Sequence, residues 1–408
     1  VAVIQGWSQD TDTPAQGSSF SQAKFVPDIS LILDCSYLHR NISDLENAAL
    51  FRPGFPESGE HDDMREGFNL NYAEITFFSV VDPYFELFAI CHLSVEHVHL
   101  EEAYWLTKRL PAGFQLKAGK FLSSFGRINE LHTHYWDFAD RPLVHQALFG
   151  AEGLNEIGAR ITWVAPIETY VMAGGEVLMG DNETSFGRAG FAQPAQGISV
   201  SSPRGPALFV GYLESSVDID NASVLARLSG AHGKAQSDEE FSSGSPNSQA
   251  LSGNSTILGG ALTVKHTFDA IRYLSLQSEY LWRNTKGTRY SLDATQQAHE
   301  STLESRQSGF YAQAVTKFGL RWRAGLRMDV LQGNEVVEDG NRSDLPTALP
   351  RYSAMLEFSP TEFSRIRLQY NVDRSRYNEV NQGLNRTTVH ELTLQVNLAI
   401  GAHGAHAF

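Results

Sequence analysis

The chain of 408 residues is 42% hydrophobic and carries 32 Lys and Arg against 47 Asp and Glu, a net charge of -15. This acidic balance argues against a nucleic-acid partner, because nucleic-acid-binding surfaces are basic. No apolar run of about 18 residues occurs, which excludes a helical membrane span.

The two cysteines, Cys35 and Cys91, form neither a CxxC nor a CxxCH motif. The sequence therefore offers no covalently attached haem and no thiolate zinc site, and we expect no cofactor. The strand pattern described below places them on strands one and three. At a strand spacing of about 4.8 Å they would lie roughly 10 Å apart, too far for a disulfide.

The first 25 residues differ in character from the rest of the chain. Residues 1–25 are polar and show no periodicity, so we predict an N-terminal polar segment there and a folded unit over residues 26–408. The chain begins at Val1 without a charged n-region and an apolar h-region. We interpret it as a mature sequence whose export signal has been removed.

From Phe25 onward, apolar and polar residues alternate with a period of two, which predicts strands with one apolar and one wet face. Tight turns are expected at Val81–Tyr84, Pro111–Gly113, Ala165–Pro166, Asp218–Asn221, Thr267–Ala270, Phe318–Gly319 and Ser359–Thr361. Long polar loops are expected at residues 181–205, 233–255, 285–305, 333–349 and 377–387. Short turns thus alternate with longer connections along the chain.

This scheme gives about sixteen strands and predicts an all-β fold, a transmembrane antiparallel β-barrel of the bacterial outer membrane. Short turns at one end and long loops at the other are its typical signature. The last third shows it best, since Trp322, Leu326 and Val330 alternate with Arg323 and Arg327. The alternative is a soluble β-rich sandwich or propeller, but arginines this dense would not pack inside a dry core.

One aromatic-rich stretch, Gly126–Gly150, lacks the alternation seen on both sides of it. It falls where the third long loop of such a barrel is expected, at residues 124–151. In a water-filled barrel a loop of this kind folds inward and narrows the hole. We predict that this loop forms the constriction of a pore.

Three stretches carry a resemblance to a known family: LNYAEITFFSVVDPYFE, LEEAYWLTKRLPAGFQLKAGKFLSSFGRINELHTHYWDFADRP and the closing GAHGAHAF. They resemble the Gram-negative porin superfamily, and within it uncharacterised proteins akin to phosphate-selective porins, some labelled zinc-regulated TonB-dependent receptors. The receptor label does not fit, because only about 25 residues precede the first strand and a plug domain needs many more. The resemblance implies no enzyme but passive diffusion of small hydrophilic solutes or ions, contact with lipid and lipopolysaccharide, and a homotrimer.

The resemblance also implies a constriction in which carboxylates of the third loop face arginines of late strands. The predicted residues are Glu130, Asp137, Asp140, Arg321, Arg323, Arg327, Arg365 and Arg367. Acid facing base across a narrow gap makes a transverse field, and fixed charge sets ion preference. A dominant basic wall would favour anions and dominant loop carboxylates would favour cations. The arginines also have lumenal partners in Asp329, Glu357 and Asp373.

Two loop histidines, His132 and His134, are candidate zinc ligands, because His-x-His on an extended segment places both rings on one side. Packing of the loop is the plainer alternative for this region. Other function classes stay open: a barrel sheath around an electron-transfer or other partner protein, or a zinc-related transporter. An enzyme would need a nucleophile, a base and an orienting group, and no such constellation is recognisable.

Overall fold

The computed structural model describes residues 27–55, 64–95, 97–108, 110–182, 184–380 and 383–401. Within these ranges the chain forms a closed antiparallel barrel of sixteen strands, in which the first strand pairs with the last. No helix among the described residues is long and apolar enough to cross a membrane. The predicted polar segment 1–25 and the closing histidines His403 and His406 lie outside the described residues.

The barrel strands are numbered here in chain order. They are β1 (Asp28–Arg40), β2 (Gly67–Val80), β3 (Phe85–Leu93), β4 (Val98–Thr107), β5 (Phe114–Leu122), β6 (Asn155–Val164), β7 (Tyr170–Leu178), β8 (Leu208–Ile219), β9 (Ala222–Glu239), β10 (Gln249–Thr267), β11 (Tyr273–Leu292), β12 (Ala298–Lys317), β13 (Trp322–Glu338), β14 (Ala348–Thr361), β15 (Ser364–Val380) and β16 (Gly383–Ile400). In the part of the chain that the structure describes, two short α-helices occur in loops, α1 (Asp44–Ala48) and α2 (Leu143–Phe149).

The alternation predicted from the sequence is present in the strands. On β15, Leu368 and Tyr370 are each 44% exposed on the outer face, whereas Arg367 and Gln369 are each 1% exposed on the inner face. An apolar outer face suits lipid, and a polar inner face suits a hydrated lumen. The fold is that of a bacterial outer-membrane barrel.

The short connections were predicted well. Six of the seven expected turns lie where the pattern placed them, and the seventh is displaced by two residues, to 362–363, because β14 runs on to Thr361. All seven lie at one end, named here the short-turn end. The opposite end is named the long-loop end.

Four of the predicted long loops were wrong in length. The expected loops at 233–255, 285–305 and 333–349 shrink to residues 240–248, 293–297 and 339–347, and at 377–387 the flanking strands extend to Val380 and resume at Gly383. The strands that flank them continue far past the roughly 9–11 residues that cross a bilayer. Beyond the membrane both strand faces meet water, so the alternation disappears from the sequence although the backbone ladder goes on.

The barrel consequently has two walls of different height. Strands β3 to β7 have 9 or 10 residues each and form the short wall. Strands β9 to β13 have 17 to 20 residues each and form the tall wall. The connection between β5 and β6, residues 123–154, is the third loop, and its contacts lie inside the barrel.

Candidate functional site: a barrel lumen crossed by the third loop

The third loop crosses the lumen as a packed segment. All seven side chains of α2 are buried, from Leu143 to Phe149. The loop contributes Phe125, Ile128, Trp136 and most of α2 to one apolar cluster with inward-facing wall residues. Fully burying one leucine or phenylalanine stabilises by about 1.5–3 kcal/mol, so this cluster is a substantial anchor.

The wall is shaped to receive the loop. Leu281, Leu331 and Leu349 occupy one level of the tall wall and its neighbour β14, with Gly309 between the first two. A Cβ atom added to Gly309 would lie 2.9 Å from a methyl carbon of Val144 in α2. A larger side chain here would push the helix away, so the glycine permits the close approach.

The start of the loop is fixed by one buried carboxylate of β11. Glu279, 1% exposed, accepts hydrogen bonds from the backbone N–H of Arg127 at 2.8 Å and of Ile128 at 3.0 Å. The hydroxyl of Tyr311 donates to the same group at 2.6 Å. Three donors on a single buried acceptor fix the position at which the loop enters the lumen.

Glu130, the first predicted carboxylate of the constriction, meets the wall at β9. The Nη2 of Arg227 lies 3.0 Å from its Oε1, and the Nη1 of Arg127 lies 3.4 Å from the same oxygen. Arg227 also pairs with Glu214 of β8 at 2.5 Å. Glu130 is thus part of a shared ion-pair group.

Asp137 and Asp140 meet the opposite side of the barrel. Asp137 pairs with Arg323 and accepts a hydrogen bond from Gln313 at 2.9 Å. Asp140 accepts from Arg327 Nη2 at 2.7 Å and pairs with Arg351 Nη1 at 2.8 Å. Burial alone would raise the pKa of Asp140, but the two guanidinium groups more than offset this effect and lower it to about 2.

The remaining predicted arginines occupy two different places. Arg367 donates to Glu357 at 2.7 Å and to the backbone oxygen of Trp136 in the loop at 2.8 Å, while Arg365 Nε lies 3.7 Å from Glu357. Arg321 lies apart from the loop, in the exposed turn before β13. The alternation that placed it on the inner strand face was extended one residue too far.

Contacts of the third loop therefore reach the wall on all sides, on β2, β4, β9, β11, β12, β13, β14, β15 and several of their neighbours. On the long-loop side lie cavities of about 390 Å³ and 880 Å³. On the short-turn side lies a cavity of about 440 Å³ lined by Lys265, Lys317 and Arg321. Residues of the third loop, among them Trp136 and Asp140, line the cavity of about 390 Å³.

The candidate metal ligands lie at the edge of the short wall, next to β2 and β4. His132 Nε2 lies 2.9 Å from Glu102 Oε2, and His134 Nδ1 lies 3.3 Å from Glu74 Oε2. Burial disfavours the charged imidazole of His132, but hydrogen bonds with Glu101 and Glu102 raise its pKa well above its usual value. The structure places both predicted histidines among carboxylates of β2 and β4.

Sequence reasoning missed the partners that hold the loop: Glu74, Glu102, Arg227, Glu279 and Arg351. Each lies on the inner face of its strand, so the alternation contained the signal that they point into the lumen. The pattern gives no height along the barrel, and the residues opposite the loop are therefore not distinguishable from others on the same face.

Comparison with known proteins identifies a relative by sequence and several solved structures with a similar fold. A protein of Aquifex aeolicus described as uncharacterised is 44% identical over 399 residues, which is 96% of this chain and 82% of the relative. No model of a protein family matches the chain.

Three solved structures share the fold. The outer membrane channel DcaP of Acinetobacter baumannii has a TM-score of 0.52 at 10% identity, with 92% of this chain and 98% of that chain covered. The anion-selective porin from Comamonas acidovorans has a TM-score of 0.51 at 10% identity, with 92% and 99% covered. OmpT of Vibrio cholerae, an outer membrane protein, has a TM-score of 0.50 at 8% identity, with 92% and 97% covered. At these identities the likeness is one of fold.

Proposed function

This chain belongs to the same protein family as the Aquifex aeolicus relative, and we propose that it is an outer-membrane porin for the passive diffusion of small hydrophilic solutes or ions. The third loop sets the width of its pathway. The proposal rests on one observation. The barrel has an apolar outer face, and its lumen has charged walls on both the long-loop side and the short-turn side of the third loop.

The constriction in this proposal consists of ion pairs between the loop and the wall. Glu130 pairs with Arg227, Asp137 pairs with Arg323, and Asp140 pairs with Arg327 and Arg351. Because these charges are paired, they set the loop's position and contribute little net charge to the pathway. Selectivity then depends on the charges beyond the loop.

The cavity at the short-turn end supplies such charges. Lys265, Lys317 and Arg321 line it, together with one carboxylate, Asp269, that is itself paired with Arg272 at 2.6 Å. A cluster of positive charge at one mouth of a pore raises the local concentration of anions. We therefore propose a preference for small anions.

Single-channel recording in a planar bilayer under a KCl gradient tests the proposal. We expect ohmic conductance steps and a reversal potential that lies toward the equilibrium potential of chloride. Arg321→Gln should shift the reversal potential toward the equilibrium potential of potassium. One unit charge acting across about 7 Å of water is worth about 0.6 kcal/mol, roughly a threefold change in ion preference. Arg306→Gln makes the same charge change on the outer face at the long-loop end and should leave the potential unchanged.

The outcomes separate the two parts of this proposal. A barrel that inserts into the bilayer without any conductance steps would contradict the porin. A conductance that prefers potassium, with a reversal potential unchanged by Arg321→Gln, would contradict the role of the basic cavity at the short-turn end. It would not contradict the porin function.

The alternatives from the sequence rank lower on the geometry. A partner protein inside the barrel would have to displace the third loop from its apolar cluster, which argues against a sheath. Assembly as a homotrimer, in contact with lipid and lipopolysaccharide, is proposed from the family resemblance.

A further inference from the structure

Six titratable side chains gather where the third loop meets the short wall. They are Glu74 of β2, His92 of β3, Glu101 and Glu102 of β4, and His132 and His134 of the loop, named here the His–Glu cluster. The side chains of Glu74 and Glu102 are 3% and 4% exposed, and that of Glu101 is 13% exposed. Three carboxylates with so little contact with water require positive charge close by, which either protonated histidines or a metal ion can supply.

Three ligand atoms of the cluster, on Glu74, His92 and Glu101, have a spacing near that of a metal coordination shell, and one ring nitrogen of His132 borders the two carboxylates. Ligands about 2.0–2.1 Å from a tetrahedral zinc ion lie about 3.3 Å from one another. His92 Nε2 lies 3.3 Å from Glu74 Oε2 and 2.7 Å from Glu101 Oε2. His132 Nδ1 lies 3.2 Å from Glu101 Oε2 and 3.9 Å from Glu74 Oε2. The ligand atoms of Glu74, His92 and Glu101 all lie within 4.8 Å of one another.

The surroundings orient these groups as metal ligands are oriented. A ligating histidine usually donates its other ring N–H to a carboxylate, which fixes the ring and its tautomer. The second nitrogen of His132, Nε2, lies 2.9 Å from Glu102 Oε2. Glu102 is itself held by the backbone N–H of Leu122 at 2.7 Å. The ring of His92 stacks on Tyr72 with centroids 5.0 Å apart.

The donor types also select the kind of ion. Imidazole nitrogens with carboxylate oxygens suit zinc and neighbouring divalent transition metals, whereas calcium and magnesium prefer oxygen alone. The nearby lysines serve other groups: Lys120 donates to the backbone oxygen of Leu100 and contacts His99, and Lys117 lies over the ring of Tyr104. A divalent cation would offset the carboxylate charge from within the cluster.

We propose that Glu74, His92, Glu101 and His132 bind one divalent transition-metal ion that ties the third loop to the short wall. His132 is the loop's ligand, and the other three belong to neighbouring strands. Glu102 is a positioning residue that acts through His132. His92 and Glu101 also line the cavity of about 390 Å³ at the long-loop end, which gives an ion a way in.

The test is titration of the metal-stripped full-length protein in detergent with Co²⁺ and Zn²⁺. We expect one equivalent of Co²⁺ with the strong visible absorption of a tetrahedral site, displaced by Zn²⁺. His132→Gln and Glu101→Gln should weaken binding at least tenfold, and Glu102→Gln should weaken it about 10–100-fold. His132→Asp retains a ligand atom and should restore part of the affinity lost in His132→Gln.

Controls separate this site from other histidines of the chain. His99→Gln changes a half-exposed histidine of the same cavity and should leave the affinity unchanged. The double change His403→Gln and His406→Gln, near the chain end, should also leave it unchanged. The proposal is overturned if Co²⁺ does not saturate at one equivalent, or if His132→Gln binds as tightly as the wild type.

A second measurement reads the loop directly. If the ion ties the loop to the wall, adding a chelator should increase the single-channel conductance of the wild type and leave that of His132→Gln unchanged. An equal response of the two proteins would also overturn the proposal. Failure of the metal-site proposal would not contradict the proposed porin function, because the test of that function depends on Arg321 at the short-turn end of the barrel.

Discussion

A protein in which residues 127–149 are replaced by a short glycine–serine linker is expected to conduct several times more current per channel than the wild type. The replaced segment carries α2 and the carboxylates Asp137 and Asp140, and it contacts the wall on all sides. The barrel should still close, because β5 and β6 pair directly through their own ladder, for example Lys117 with Arg160. Thermal stability should fall, since the lumenal apolar cluster is lost.

The matched control is a similar replacement in a loop that lies over the long-loop end. Residues 190–200 form a small two-stranded hairpin that packs against Phe241 and Leu292. Removing them should leave the conductance close to that of the wild type. If the two replacements gave the same conductance, the third loop would not be the element that narrows the lumen.

Replacing Asp140 with asparagine is expected to loosen the loop without removing it. The carboxylate faces Arg327 and Arg351, which are 3% and 4% exposed, so the change leaves two buried guanidinium groups short of a partner. Breaking a buried pair costs about 3–5 kcal/mol. We expect larger, flickering conductance steps and a stronger preference for anions, measured by the same bilayer recordings.

The exposed pair at the short-turn end provides a control for the size and flickering of the conductance steps, with the same change of charge. Asp269→Asn removes the partner of Arg272, and both side chains are about half exposed, so the cost should be about 0–1 kcal/mol. If Asp140→Asn showed steady conductance, indistinguishable from that of Asp269→Asn, then Asp140 would not be a residue that holds the third loop against the wall.

The low pKa of Asp140 adds a pH dependence with a definite sign. The pKa of this carboxylate in the folded protein, about 2, is lower than its usual value of 3.8. Its pairing therefore contributes full stability above the usual value and is lost only as the pH falls through about 2. The ion pairs of Asp140 in the wild type should stay intact from pH 5 to 8. In strong acid, where this carboxylate is protonated, the conductance of the wild type should resemble that of Asp140→Asn.

The fold was predictable from the sequence because each membrane-spanning strand has one face toward lipid and the other toward water. A strand between lipid and water must alternate, and residues such as Leu368 and Arg367 follow that rule wherever the strand crosses the bilayer. Strand length was not predictable, because the outer parts of the tall wall meet water on both faces. There the ladder continues, as between Gln249 and Ser291, with no periodicity to show it.

The way in which the third loop meets the barrel wall was only half predictable. The sequence placed charged loop residues opposite charged wall residues, but it did not reveal that most of the loop is apolar and packed. A signal was present: Tyr280-Leu281-Trp282 carries apolar residues on both faces of a strand, so Leu281 needs an apolar partner inside the barrel. Only the register between strands shows that Leu281, Leu331 and Leu349 share one level.

The measurement that tests the central claim most directly is the single-channel conductance of Leu148→Asp. Leu148 is fully buried in the cluster that fixes the loop in the lumen, and a carboxylate there costs several kcal/mol. Leu45→Asp makes the same change at an 83% exposed position of α1 and serves as the control. A loop held by apolar packing predicts a marked rise in conductance for Leu148→Asp and none for Leu45→Asp. Wild-type conductance in a properly folded Leu148→Asp barrel would contradict the account.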